Sequence, residues 1–317
     1  MMAAGVDDTR HRVSARRTHF IVLALLVVAL ATTATACSSK RTEPGEQEPG
    51  FSTGRGSGTT QRGRYPELEG LVFLRGGAIW AVEEGTARQV IESDAPWSLR
   101  NSRSGDAVTY ASLAGTKAHI YTAAKGDWRA ESMWETDLGS LLVEAVHDDV
   151  ADVLWFSASG EQTTTIGARE STGREGAALL PVEVAPHFSV RYEDGALFAA
   201  GAAQQPAILY EIGTAARGVF RASTLFYPRL SPDGASVLVT GSAEQRGRFH
   251  LWMVEIADGS FTDLEFGPGV PTDPVWSRDG RCVAFRNATT GTVWTVPAGA
   301  GAAEDTGLQA DEGGLAW

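Results

Sequence analysis

An aromatic residue returns at a nearly fixed interval along this chain of 317 residues. The recurring positions, one of them filled by isoleucine, are Trp80, Tyr121, Ile166, Tyr210, Trp252 and Trp294. The steps between them are 41, 45, 44, 42 and 42 residues. Such a period matches the length of a four-stranded propeller blade, in which each repeated position packs against its equivalents in neighbouring blades. The period therefore predicts an architecture, and it carries no information about chemistry.

The segments around these positions are predicted to be β-strands. Short alternating apolar runs, such as those at 71–74, 78–82 and 283–285, are separated by turn residues from about residue 65 onward. This pattern is typical of an all-β protein. No segment shows a sustained helical period with capping residues, so helices are not expected.

Two blades are explicit in the sequence. YPRLSPDG at 227–234 and DPVWSRDG at 273–280 repeat one another 46 residues apart, and each is followed by two further apolar strands. In the Ser-x-Asp-Gly turn the aspartate is expected to accept hydrogen bonds from the following amides, and the glycine to supply a positive φ. Weaker forms of the turn lie at 104–106 and 192–195, whereas His147-Asp148-Asp149 holds the third turn without a glycine.

These motifs resemble the WD-like repeats of TolB-type β-propellers, whose blades begin with a Pro-x-Trp-Ser-Pro-Asp-Gly pattern. The resemblance is strong over residues 226–296 and weaker before them. It implies a propeller fold and a partner-binding role in the bacterial cell envelope. That family carries an additional amino-terminal α/β domain, for which this sequence has no counterpart.

The two ends of the predicted propeller complement each other. Gly314-Leu315-Ala316-Trp317 resembles the start of a blade, whereas the runs at 71–74, 78–82 and 87–91 resemble the second, third and fourth strands of one. Joining them gives six blades, with the first closed by the C-terminal strand and no long open edge. An open solenoid would instead need distinct polar caps at its ends.

The amino terminus has the layout of an export signal. Four arginines precede an apolar run at 20–31, which is too short to span a bilayer core that needs about twenty residues. Small residues then lead through Ala36 into Cys37, an arrangement that resembles a bacterial lipoprotein signal. The resemblance implies cleavage after Ala36 and lipid attachment at Cys37. Alternatively, Cys37 is an ordinary residue beside a soluble-secretion site, and Arg16-Arg17 raises the twin-arginine route against the favoured general secretory route.

The predicted organisation is a signal peptide at 1–36, a flexible tether at 37–64 and the propeller at 65–317. The tether is rich in Ser, Thr, Gly, Pro, Glu and Arg, a composition that cannot bury enough apolar surface to fold. We therefore predict a protein held by a lipid on the outer face of the cytoplasmic membrane. The net charge of −12 argues against a nucleic-acid partner, and a monomer is expected.

The motifs of common catalytic sites are missing from the sequence. It has no His-Glu-x-x-His, no Gly-x-Ser-x-Gly, no phosphate-binding glycine loop and no paired-cysteine metal site. The densest polar cluster, His147-Asp148-Asp149 with Asp152, offers ligands for a divalent cation, but a solvated turn is the favoured interpretation. No cofactor, metal or catalytic residue is therefore assigned.

A closed propeller offers a central funnel for binding. Repeat alignment places five residues at the starts of the innermost strands, where they would meet around one rim: Trp97, His187, Tyr227, Asp273 and Asp311. Aromatic and acidic side chains on a concave surface suit a protein or peptide ligand, so a non-enzymatic binding scaffold is predicted. Three alternatives stay open: Trp97 and Tyr227 only pack between blades; the funnel is a lyase or hydrolase site; or it senses a small ligand.

Overall fold

The structure is a computed structural model, and it describes residues 64–317 except 115–116, 138–140, 160–163, 171–174, 179, 181, 202–204, 245–246 and 300. The predicted signal peptide, and the tether up to residue 63, lie outside the described residues, as do Ala36 and Cys37. No helix of the described ranges is long and apolar enough to cross a bilayer.

Strands make up most of the described chain, which also has one turn of 3-10 helix at Pro66–Leu68. The first twelve strands are β1 (Val72–Arg75), β2 (Ala78–Glu83), β3 (Thr86–Glu92), β4 (Trp97–Asn101), β5 (Ala107–Ala114), β6 (Lys117–Ala124), β7 (Ala130–Asp137), β8 (Leu141–Asp148), β9 (Val153–Ser159), β10 (Thr164–Glu170), β11 (Glu175–Ala178) and β12 (Val184–Arg191). The others are β13 (Ala196–Gly201), β14 (Ala207–Ile212), β15 (Ala216–Ala222), β16 (Thr224–Leu230), β17 (Ser236–Ser242), β18 (Phe249–Glu255), β19 (Phe261–Asp263), β20 (Pro271–Trp276), β21 (Cys282–Asn287), β22 (Thr292–Pro297), β23 (Glu304–Gln309) and β24 (Leu315–Ala316).

These strands form six antiparallel sheets of four strands each, which confirms the predicted six-bladed β-propeller. Blade 1 has the order β24-β1-β2-β3, and blades 2 to 6 follow in sequence as β4–β7, β8–β11, β12–β15, β16–β19 and β20–β23. The first strand of each blade contacts the first strands of its two neighbours around the ring. These six strands therefore line the central channel.

The C-terminal strand closes the first blade, as predicted. In β24, Leu315 pairs with Phe73 and Ala316 with Val72, and both residues of β24 are buried. Gly314 lies so close to blade 2 that a Cβ there would come within 2.5 Å of the Leu99 carbonyl oxygen. Blade 1 is therefore closed by a two-residue strand, and a tight backbone contact joins this strand's start to blade 2.

The recurring aromatic positions lie on the third strand of each blade and pack between blades. Trp252 of β18 packs with Phe198 of blade 4, and Trp80 of β2 packs with Ala284 of blade 6. Burying a large apolar side chain stabilises a fold by about 1.5–3 kcal/mol. The sequence period therefore reports the contact between one blade and the next.

The Ser-x-Asp-Gly turns connect first and second strands and all lie on one face of the ring. Asp233 Oδ1 accepts hydrogen bonds from Ser231 Oγ at 2.6 Å and from the Ala235 amide at 3.0 Å. Gly234 has a φ of 72°, as expected for the turn. In blade 3 the turn lacks glycine, and Asp152 takes the left-handed conformation with a φ of 55°.

Candidate functional site

Blades 2 to 6 each begin with a β-bulge in the first strand, on the face opposite the Ser-x-Asp-Gly turns. In blade 5 the register shifts between Phe226 and Arg229, and in blade 6 between Thr272 and Val275. Related shifts occur in β4, β8 and β12. A bulge releases residues from the ladder and redirects their side chains. The bulges therefore determine which residues face the channel.

Two of the predicted rim residues occupy strained positions within these bulges. Tyr227 and Asp273 have φ values of 50° and 51°, and each precedes a proline. A left-handed conformation is uncommon for residues other than glycine and costs about 1–3 kcal/mol. Strain of this kind persists where the surrounding structure holds it, often at binding sites. His187 lies in the equivalent bulge of β12.

Trp97 lies apart from these residues. It precedes the bulge of β4, and its half-buried side chain packs with the apolar cluster between blades 2 and 3. By backbone conformation Ser98, with a φ of 57°, is the counterpart of Tyr227. Its hydroxyl accepts a hydrogen bond from the Ala145 amide at 2.8 Å. Repeat alignment was therefore one residue out of register in blade 2.

Asp311 also has a local partner. The residue is exposed, and its Oδ2 accepts a hydrogen bond from the Gly76 amide at 2.6 Å. Its own amide donates to the Leu74 carbonyl at 2.7 Å. These contacts attach the segment before β24 to the β1–β2 turn.

A buried ionic cluster links the inner strands just after the bulges, and we name its members, Arg100, Glu144 and Arg229, the floor. Arg229 Nη2 lies 2.5 Å from Glu144 Oε1, and Arg100 Nη1 lies 3.1 Å from Oε2. The side chains of Arg100, Glu144 and Arg229 are 12%, 5% and 9% exposed. Both guanidinium groups also donate to the Phe188 carbonyl, and the Phe188 amide donates to Glu144 Oε2. The floor therefore connects blades 2, 3, 4 and 5.

The charges of the floor are mutually stabilised. Burial alone raises the pKa of Glu144, but attraction to Arg229, Arg100 and His187 outweighs it and holds that pKa well below 4.5. Burial, followed by repulsion from Arg229, lowers the pKa of Arg100 to about 10. Glu144 and Arg100 are consequently charged at neutral pH, and the low dielectric of the interior strengthens their attraction.

Three predicted rim residues, His187, Tyr227 and Asp273, come together above the floor, and we name them the mouth. The rings of His187 and Tyr227 lie 4.2 Å apart at an angle of 40°. His187 Nδ1 lies 3.2 Å from Glu144 Oε1, outside hydrogen-bond angles, and its side chain is 22% exposed. Tyr227 is half-buried, and its ring also contacts the Arg229 guanidinium at 5.9 Å. The mouth thus combines two accessible aromatic rings with a carboxyl group.

Asp273 has an unsatisfied buried oxygen. The residue is 6% exposed, and its Oδ2 has no hydrogen-bond partner. Burial raises the pKa of Asp273, with opposing attraction from Arg229, His187 and Arg286 and a further increase from Glu312. An unsatisfied buried acceptor costs about 1–3 kcal/mol, and a ligand that reached this oxygen with a hydrogen-bond donor would remove that cost.

The polar cluster of the third turn has a different role. Asp148 Oδ1 accepts from the Val150 and Ala151 amides, and Asp149 accepts from the Ser104 amide and hydroxyl. Asp152 Oδ1 lies 3.3 Å from His147 Nε2. These contacts stabilise a turn and its junction with blade 2. Across the described ranges, no group of three or more His, Cys, Asp or Glu side chains could hold a metal ion.

Sequence reasoning did not identify the floor, although two signals pointed to it. Arg229 stands two residues before Ser231, and Arg100 stands two residues before Ser102, which lies just ahead of the weaker turn at 104–106. Glu144 interrupts an apolar run at 141–146. A charged residue inside a buried strand needs partners, but the sequence did not show which ones.

Comparisons with known proteins support the fold alone. No protein-family model matches the chain, and neither does any curated protein sequence. TolB from Acinetobacter baumannii aligns with a TM-score of 0.59 and 13% identity over 78% of this chain and 65% of the TolB chain. A chain of the nidogen/laminin complex aligns with a TM-score of 0.59 and 12% identity, over 78% and 97% of the two chains. The protein is a six-bladed β-propeller with a TolB-like fold.

A third similar structure is an enzyme. An oligogalacturonate lyase in complex with manganese aligns with a TM-score of 0.50 and 11% identity, over 78% of both chains. A chain from a protein complex and an enzyme therefore share this fold, so the fold alone does not determine function.

Proposed function

We propose that this protein is a non-enzymatic binding scaffold of the cell envelope, exported by the general secretory route. After cleavage at Ala36, a lipid on Cys37 holds it on the outer face of the cytoplasmic membrane. The propeller then presents the mouth to a protein or peptide partner.

One observation carries this proposal: His187, Tyr227 and Asp273 converge above a rigid floor, with an accessible ring pair beside an unsatisfied carboxyl oxygen. A concave site that combines aromatic surface with a few fixed polar groups is typical of binding pockets. The structural neighbour from the nidogen/laminin complex is consistent with a propeller that binds protein. The backbone strain at Tyr227 and Asp273 places their side chains before a ligand arrives, which reduces the entropy lost on binding.

The test is partner capture by the full-length chain from envelope extract of the source cells. Tyr227→Asn removes the ring while keeping a residue that tolerates a left-handed backbone. We expect recovery of the partner to fall about tenfold or more, because aromatic residues at the centre of an interface contribute most of its binding energy. Asp258→Asn, at an exposed turn of blade 5, is the matched control and should leave recovery unchanged.

Trp97→Ala serves as a structural comparison. Because Trp97 packs between blades 2 and 3, its truncation should lower the melting temperature. Equal capture by wild-type protein and Tyr227→Asn, with both proteins folded, would remove the basis for a binding site at the mouth.

A second candidate function is a lyase or hydrolase, favoured by the pairing of Glu144 with His187. Glu144 Oε1 lies 3.2 Å from His187 Nδ1, so the mouth contains a histidine beside a carboxylate. Asp273, with its raised pKa, is a suitable acid. Turnover of an envelope metabolite pool that disappears in His187→Gln would establish this function in place of the scaffold, whereas the scaffold proposal expects no turnover.

A further inference from the structure

We propose that the mouth binds a protonated amine or a guanidinium group, such as a basic side chain or the amino terminus of a peptide. This inference rests on the proposed binding function and specifies the chemistry of the ligand.

The unsatisfied group of the mouth is an acceptor. Asp273 Oδ2 is buried without a partner, although Arg229, His187 and Arg286 are near enough to influence the carboxyl group. A cationic donor would supply the missing hydrogen bond, and such charge-assisted bonds are about twice as strong as neutral ones. Asp273 is therefore the hydrogen-bond acceptor of the site.

The walls of the mouth also suit a cation. Tyr227 and His187 stand together beside Asp273, and aromatic faces attract ammonium and guanidinium groups. The Arg229 guanidinium carbon lies 5.9 Å from the centroid of the Tyr227 ring, an example of this attraction within the protein itself. Exposed Glu312 adds negative charge near Asp273, as its effect on the pKa of Asp273 indicates.

The floor is a poor site for an anionic ligand, because both of its arginines already have hydrogen-bond acceptors within the protein. Arg229 donates to Glu144 and to the carbonyls of Phe188 and Pro228, and Arg100 donates to Phe188 while pairing with Glu144. A metal ion is a poor fit too, since the mouth contributes only one carboxylate and one histidine and no three-ligand group exists in the described part of the chain. A hydrogen-bonding organic cation satisfies both the charge and the geometry.

The experiment compares three small aliphatic probes that differ in charge: butylguanidinium, butanol and butyrate. Binding to the full-length protein is followed by saturation-transfer NMR. We expect butylguanidinium to bind wild-type protein and the Asp258→Asn control equally, and to bind Asp273→Asn about tenfold more weakly. Butanol and butyrate should show no binding that depends on Asp273.

Two checks keep the result interpretable. Asp273→Asn should melt no lower than the wild type at neutral pH, because burial already disfavours the charged carboxylate. Tyr227→Asn should also weaken butylguanidinium binding. Equal binding to Asp273→Asn, mouth-dependent binding of butyrate instead, or no binding of butylguanidinium would each overturn the inference. If partner capture still depended on Tyr227 in those cases, the proposed function would stand without its cationic ligand.

Discussion

Glu144→Gln is expected to lower the free energy of unfolding by about 3–5 kcal/mol at neutral pH. The substitution keeps the shape of the side chain but leaves Arg100 and Arg229 buried without their counter-ion. Removing one partner of a buried ion pair costs more than the pair contributes, because the remaining charge has lost both water and its partner. Urea unfolding of the full-length chain measures the difference. Exposed Glu183→Gln is the matched control and should change stability by less than about 0.5 kcal/mol.

The effect should depend on pH in a defined direction. The pKa of Glu144 is held well below 4.5 in the folded protein, so the stability from its charge is present above the unfolded pKa. That stability is lost as the pH falls through the folded pKa, and the difference between wild type and Glu144→Gln should shrink accordingly. A constant difference across this range would contradict the ionic explanation.

A triple variant separates charge from packing. Glu144→Leu combined with Arg100→Met and Arg229→Met removes every charge of the floor at once. Apolar replacement of a complete buried ion cluster is often neutral or stabilising, so most of the stability lost in Glu144→Gln should return. A triple variant as unstable as Glu144→Gln would show that shape, and not charge, makes the floor essential.

Deletion of residues 313–317 is expected to lower the melting temperature by roughly 10 °C or more. The deletion removes the inner strand of blade 1 and exposes the paired edge of β1. It also removes the Leu99 amide bond to the Gly313 carbonyl and the Trp317 indole bond to the Glu69 carbonyl. Differential scanning calorimetry of intact and truncated chains measures the effect, and a truncated chain that melts like the intact one would disprove shared closure.

Gly314→Ala tests the same closure without removing residues. Its Cβ would meet the Leu99 carbonyl oxygen, and the φ of 127° at this position disfavours any side chain. We expect a loss of stability in the same direction as the deletion. Gly299→Ala is the control, because a Cβ there meets nothing within 4 Å.

Most of the fold could be predicted from the sequence because propeller blades repeat. Trp252 and Trp294 recur where each blade packs on the next, and the Ser-x-Asp-Gly turns are encoded in four consecutive residues. Blade 3 has the weakest sequence repeat, but Ile166 occupies its recurring aromatic position and is fully buried. Local patterns repeated at a fixed period therefore determined both the number of blades and the closing strand.

The site was predictable only in part. Repeat alignment brought His187, Tyr227 and Asp273 to one rim, and the structure places these three together. Repeat alignment also placed Trp97 at this rim. In the structure, the bulge of β4 puts Ser98 at the equivalent backbone position, and Trp97 packs between blades. A bulge adds residues without changing the period, so a count along the sequence cannot locate it.

The sequence by itself determined the six blades, the turns and the shared closure, because burial and turn geometry depend on residues close together in one repeat. Only the tertiary structure decided the floor, in which Glu144 meets Arg229 across 85 residues of chain and a neighbouring blade. The physical reason is that a buried charge is stable only where its partner arrives at contact distance. That distance is determined by ring closure and by bulges, and the spacing of the aromatic residues predicts neither the bulges nor the contacts across the ring.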